Sequence, residues 1–180
     1  MVMAEATNHY FKHLGVSDGL SQVCIPSIYQ DELGAVWLGT TEGLNRYNGK
    51  DVKVFQPSES NHGLTNNEIN ELCGDKNGRM YIRSGNDLIK LDIYTEQFTC
   101  LRQKGVYGLF CKKDTLWVSC ADGIYYYTGQ GTELTFFARV QKGFVGRALY
   151  VDKETVWVVT RKYLVAISRE DPLRQEILLT

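Results

Sequence analysis

A unit of four short strands returns at a nearly fixed interval, and this periodicity constrains the fold more than any other feature of the chain. Moved by 44 residues, Gly19-Leu20-Ser21-Gln22 falls on Gly63-Leu64-Thr65-Asn66, Asp31 on Asp75, Gly34 on Gly78, Trp37 on Tyr81 and Leu44 on Leu88, without a gap. The aromatic returns 36 residues later at Trp117 and another 40 later at Trp157. In the first unit the residues predict a strand before a tight turn at Asp31 to Gly34, a second on Val36 to Thr40, a third on Leu44 to Tyr47 and a fourth ending at Phe55. Strands that repeat at about 40 residues form stacked arrays, because one antiparallel four-stranded blade cannot bury both of its faces. The mid-strand aromatic supplies the bulk that fills the space between blades. The expected fold is all-β: a β-propeller segment of about four four-stranded antiparallel blades, part of a larger propeller. The repeat divides the chain into a leader with an orphan outer strand (1–18) and blades at 19–62, 63–103, 104–142 and 143–180.

The orphan strand is His9-Tyr10-Phe11-Lys12, since Phe55 moved back by 44 residues lands on Phe11. Glu176 to Leu179 competes for the same closing position, aligned on Phe137. The array stops on that strand without the polar cap that repeat arrays need, which predicts a longer array. Hydrophobic content of 43% and charged content of 23% fit a folded globular chain, and a net charge of −1 implies no broad basic face for nucleic acid. No apolar run approaches the roughly 18 to 20 residues of a membrane span. The first residues lack the pattern of a secretory signal, and Met1-Val2-Met3-Ala4 reads as an added start, which favours a signal already removed.

The chain carries no HExxH, GxSxG, Walker-type or dinucleotide-binding motif, so no catalytic residue, metal or cofactor is expected. Asp75-x-Asn77-Gly78 resembles a calcium loop, but Asn86 stands where its bidentate Glu belongs, leaving a turn. Asp31 and Asp75 are likewise read as turn residues, and a glycosidase would require two carboxylates across a cleft. Five cysteines without a CxxC pair give neither a zinc site nor a complete disulfide framework; most read as buried thiols, with one disulfide left open. In a blade whose first strand is innermost, the loops leading into each blade share a face with the turns between second and third strands. That face collects Gln22, Asn66 and Asn67 with Glu42, Arg83 and Arg161, the candidate ligand-binding residues. Arg83 aligns with Gly39 and Arg161 with Ala121, and a guanidinium that departs from its own repeat is a candidate for recognition.

The string SIYQDELGAVWLGTTEGLNRYNG at 27 to 49 closely resembles the two-component regulator propeller repeat found at the N-terminus of hybrid two-component sensors of gut bacteria, and FKHLGVSDGLSQ at 11 to 22 resembles the segment that introduces it. The resemblance implies a periplasmic sensor segment, catalytically silent itself, in a protein whose membrane helix, histidine kinase and DNA-binding module lie downstream. It further implies oligosaccharide ligands and control of polysaccharide-utilisation genes. It transfers no ligand-binding residue. Two rival classes are structural blades without a ligand of their own and a carbohydrate-active propeller enzyme. The exposed sides of the first and last blades predict a homodimer, or packing against further blades of the same sensor.

Overall fold

The computed structural model describes residues 11–58, 63–140 and 145–179. Among them the strands form four separate sheets. The first blade is β1 (Ser27–Gln30), β2 (Val36–Thr40), β3 (Gly43–Tyr47) and β4 (Val52–Phe55), and the second is β5 (Ile69–Gly74), β6 (Arg79–Ser84), β7 (Asp87–Asp92) and β8 (Gln97–Arg102). The third is β9 (Val106–Lys112), β10 (Thr115–Cys120), β11 (Gly123–Tyr127) and β12 (Thr135–Ala138), and the fourth is β13 (Val145–Val151), β14 (Thr155–Thr160), β15 (Leu164–Ser168) and β16 (Gln175–Leu179). Each strand pairs antiparallel with its neighbour in chain order, as short turns require. The first strands are innermost: β1 lies against β5, β5 against β9 and β9 against β13. This is an all-β propeller arc, with one sheet inside each of the four ranges set by the repeat.

Register explains the aromatic. Tyr29 pairs with Trp37, Cys73 with Tyr81, Phe110 with Trp117 and Tyr150 with Trp157. Side chains alternate between the faces of a strand, so these positions look toward the following blade and their neighbours toward the preceding one. Three apolar clusters result. Trp37, Leu44 and Phe55 meet Leu72, Met80 and Ile82; Tyr81 and Leu88 meet Leu109, Leu116 and Val118; Trp117 and Ile124 meet Val151, Val156 and Val158. Trp37 and Tyr81 are wholly buried, each contributing about 2–3 kcal/mol of apolar burial. Trp157 is only half-buried, and Tyr150 and Val159 beside it are exposed, because in this arc nothing covers that face of the fourth blade among the described residues.

The Asp-led turns do more than reverse the chain. The Asp31 carboxylate accepts hydrogen bonds from Leu33 N (3.0 Å), Ala35 N (2.8 Å) and Trp37 Nε1 (2.7 Å), so one side chain closes the turn and fixes the indole. Asp152 repeats the arrangement with Glu154 N, Thr155 N and Trp157 Nε1. In the second blade Asp75 likewise accepts the turn amide Asn77 N, at 2.9 Å, but takes Arg79 Nε and the Tyr81 hydroxyl as its other donors. The third blade drops the Asp for a two-residue hairpin between Lys112 and Thr115, with Lys113 in the left-handed region at φ 50°.

The leader departs from the orphan-strand expectation. His9 and Tyr10 lie outside the described residues, and Phe11 and Lys12 belong to no strand. The fourth blade fills its outer position with β16. Residues 12 to 21 instead run beside the first blade: Lys12 Nζ donates to the Tyr47 hydroxyl at 3.2 Å, and Ser21 N donates to Asn45 Oδ1 at 2.9 Å. Asn45 stands where Ile89 stands in the second blade, and its buried amide is satisfied by the Ser21 hydroxyl and backbone carbonyls.

Candidate functional site

The loops leading into each blade and the second-to-third-strand turns do share one end of the arc, and backbone bonds tie them together. Gly43 N donates to Asn67 O (2.8 Å), Gly85 N to Glu68 O (2.7 Å), Val106 N to Asn86 O (3.0 Å) and Ala121 N to Gly105 O (2.8 Å). The turns of the first three blades are thereby pinned to a lead-in loop, either of the same blade or of the next. This end is a hydrogen-bonded rim.

The six sequence-derived residues are distributed unevenly over it. Glu42, Asn66 and Asn67 come together at the seam of the first two blades; Glu42 O accepts from Gln56 Nε2, and Asn66 Oδ1 caps Glu68 N. Gln22 lies one blade earlier, its Oε1 accepting from Val23 N. Arg161 is exposed on the turn between β14 and β15, two blades on from Arg83. Arg83 itself is not an open donor. It is 4% exposed, its Nη1 donates to Gly85 O at 3.1 Å, and its Nε faces Glu71 Oε2 at 3.4 Å. The same Glu71 oxygen accepts Leu109 N of β9. Arg83 therefore works as a strut through which the second blade holds the third, and it departs from Gly39 because the neighbours differ: a Cβ at Gly39 would meet Ile69 Cγ2 at 2.8 Å.

Sequence reading did not single out Arg102, at the end of β8 in the second blade, or Tyr125 on β11 of the third. Arg102 Nη2 donates to Asp122 Oδ1 at 2.7 Å, Tyr125 donates to Asp122 Oδ2 at 2.8 Å, and the guanidinium lies 4.6 Å from the Tyr125 ring centre. Burial works against ionisation of Asp122, but the bonds from Tyr125 and Arg102 outweigh it and hold the carboxyl below the usual carboxylate range.

The opposite end of the arc carries a groove of about 440 Å³ between the third and fourth blades, lined by Lys112, Lys113, Asp114, Trp117, Lys153 and Arg169 among others. That volume is in the range of small-ligand clefts, about 300–1,000 Å³. Lys112 Nζ donates to Val151 O, and Arg169 donates to the carbonyls of Asp152 and Lys153 while its guanidinium covers the Trp117 ring. Four cations face one carboxylate, Asp114, so the groove favours an anion. None of the six rim residues lines it. The sequence signal was present in Lys112-Lys113-Asp114 and Asp152-Lys153-Glu154, turns that break the Asp-to-Gly pattern of the first two repeats.

Residues 19–42 match the family described as two component regulator propeller. Histidine kinase P4 of Formosa agariphila is 40% identical over 53 residues, which span 29% of this chain and 4% of that protein. Among solved structures, the extracellular domain of the hybrid two component system BT3049 from B. thetaiotaomicron superposes with a TM-score of 0.76 at 21% identity, over 93% of this chain and 26% of that one. The extracellular domain of the one component system BT4673 from the same organism gives 0.73 at 18% identity, over 94% and 27%. The chain thus spans about a quarter of those domains and a far smaller share of the kinase. Its first repeat thus matches the regulator propeller model, and its arc has the fold of these extracellular domains. No helix among the described residues is long and apolar enough to cross a membrane.

Proposed function

We propose that this chain is a non-enzymatic segment of the periplasmic sensor region of a hybrid two-component histidine kinase, responding to acidic oligosaccharides from glycan breakdown and controlling polysaccharide-utilisation genes. The observation that carries the reading is the regulator propeller repeat at 19–42, standing at the head of a four-blade arc. The groove between the third and fourth blades is the better ligand site than the rim, because it combines volume with a cationic edge, and sugar carboxylates pair with Lys and Arg. One carboxylate among its lining residues falls short of the pair that glycoside hydrolysis uses. For a signal to follow, the oligosaccharide must bind one arrangement of the sensor more tightly than the other, since equal affinity shifts no equilibrium.

Calorimetric titration with a uronic-acid oligosaccharide and a neutral one of equal length tests this. Binding of the acidic sugar that Lys113→Ala with Lys153→Ala weakens at least about tenfold, and that rising salt weakens further, is expected. Loss through Arg161→Ala instead would move the site to the rim, and no binding of either sugar would remove the ligand reading. A second reading, scaffold blades that associate through their ends, draws on the half-buried Trp157 with exposed Tyr150 and Val159. It predicts a dimer by light scattering that ignores sugars and that Trp157→Glu disperses.

A further inference from the structure

Cys73 on β5 and Cys111 on β9 face each other across the interface between the second and third blades, with their sulfurs 2.7 Å apart. Both are thiols in the structure, and this is the one thiol-to-thiol contact among the described residues. We propose that these two cysteines form a disulfide that joins the innermost strands of adjacent blades.

The placement follows from the repeat as well as from the distance. Cys73 pairs with Tyr81 and so occupies the position of Tyr29 and Phe110, which looks toward the following blade. Cys111 pairs with Leu116 and occupies the position of Gly74, which looks toward the preceding one. One interface earlier the same two positions are Tyr29 and Gly74, and a Cβ built on Gly74 would lie 2.2 Å from the Tyr29 hydroxyl oxygen. One interface later they are Phe110 and Val151, which belong to one apolar cluster. The architecture therefore brings these two positions into contact wherever blades stack, and in the middle interface both are cysteine. Two sulfurs without a third donor make no metal centre, and no group of three such ligands occurs among the described residues.

The oxidant is a small-molecule or protein disulfide. The Cys111 thiolate attacks one of its sulfurs, forms a mixed disulfide and releases the first thiol. The sulfur of Cys73 then displaces the second, forming the Cys73–Cys111 bond. Two electrons pass to the oxidant's disulfide, and the two cysteine protons end on the two released thiols. Burial pushes the Cys73 thiol well above its usual range, so little of it is thiolate and its attack relies on its closeness to Cys111 in the mixed disulfide. The bond closes a loop across a sequence separation of 38 residues, long enough to restrict the unfolded chain strongly.

The test uses the whole chain with oxidised glutathione at low protein concentration, read by thiol titration after denaturation and by peptide mapping. Two of the five thiols should disappear, a Cys73–Cys111 cross-linked peptide should appear, and the thermal midpoint should rise by about 10 °C. Cys24→Ser should retain that response, and Cys111→Ser should abolish it. Five remaining thiols, stable glutathione adducts, or a cross-link that uses Cys24, Cys100 or Cys120 would overturn the proposal. Mapping of the unmodified chain decides the matter even where a serine variant folds poorly.

Discussion

Replacing Asp31 with Ala removes an acceptor on which three donors converge, and the structure sets how much that should cost. Asp31 is 4% exposed and Trp37 fully buried. Without the carboxylate, Leu33 N turns to water at the exposed corner of the turn, but Ala35 N and Trp37 Nε1 stay inside without an acceptor. Each orphaned buried donor costs about 1–3 kcal/mol, so the substitution should cost about 2–6 kcal/mol. At about 2–4 °C per kcal/mol for a chain of this length, the midpoint falls by at least about 4 °C. Urea unfolding followed by tryptophan fluorescence measures it. Asp31→Asn keeps one carbonyl oxygen but turns an amide against a donor, so it should lose part of the same energy. Asp152→Ala removes an equivalent set of bonds, yet the half-exposed Trp157 leaves room for water, and its loss should be smaller. A change within about 0.5 kcal/mol for Asp31→Ala would refute the reasoning, since it would mean that the indole bond adds nothing to the turn.

Two further outcomes probe the interfaces and the rim. Gly39→Ala places a Cβ 2.8 Å from Ile69 Cγ2 and 3.0 Å from Ile69 O, an overpacking worth about 1–3 kcal/mol in thermal unfolding. Ile69→Ala removes that Cγ2, so the double variant should lose less than the sum of the two single losses, and additive losses would show that the first two blades do not meet there. Asp122 has a folded pKa below its unfolded value near 3.9, so its contribution is complete above that pH and is lost as pH falls through the folded value. The stability gap between Asp122→Asn and the parent should therefore be constant near neutrality and close below about pH 3.9; a gap that persists to strongly acid pH would show that the carboxylate charge is not involved.

The fold was legible because its determinants are local and repeated. Asp-to-Gly turns, alternating apolar strands and one aromatic per unit each have a mechanism within about ten residues, and the register of β2, β3 and β4 follows them closely. The leader was not legible, because Phe11 matches Phe55 in residue type but not in surroundings: an outer strand needs an open edge, and β16 occupies the one expected. The site was the least legible part. Arg83 and Lys113 are both cations at irregular points of the repeat, and only the fold separates a guanidinium turned inward onto Glu71 from an ammonium on a groove edge.

That contrast refines where departures from a repeat carry information about ligands. The position held by Gly39, Arg83, Ser119 and Val159 looks toward the following blade, and its residue answers to whatever that blade presents. Gly39 admits Ile69, Arg83 reaches Glu71, which in turn accepts Leu109 N, and the Ser119 hydroxyl donates to Gly146 O. Variation there is complementarity between blades. The side chains of Lys113 and Lys153 are exposed and bear no such load, because backbone conformation sets the hairpin at Lys113 and the Asp152 carboxylate holds the turn at Lys153. Charge can accumulate at these turns without destabilising the arc. Under the proposed function, ligand selectivity should therefore reside in the hairpin tips, where four cations gather between the third and fourth blades, while the inward positions serve the contacts between blades.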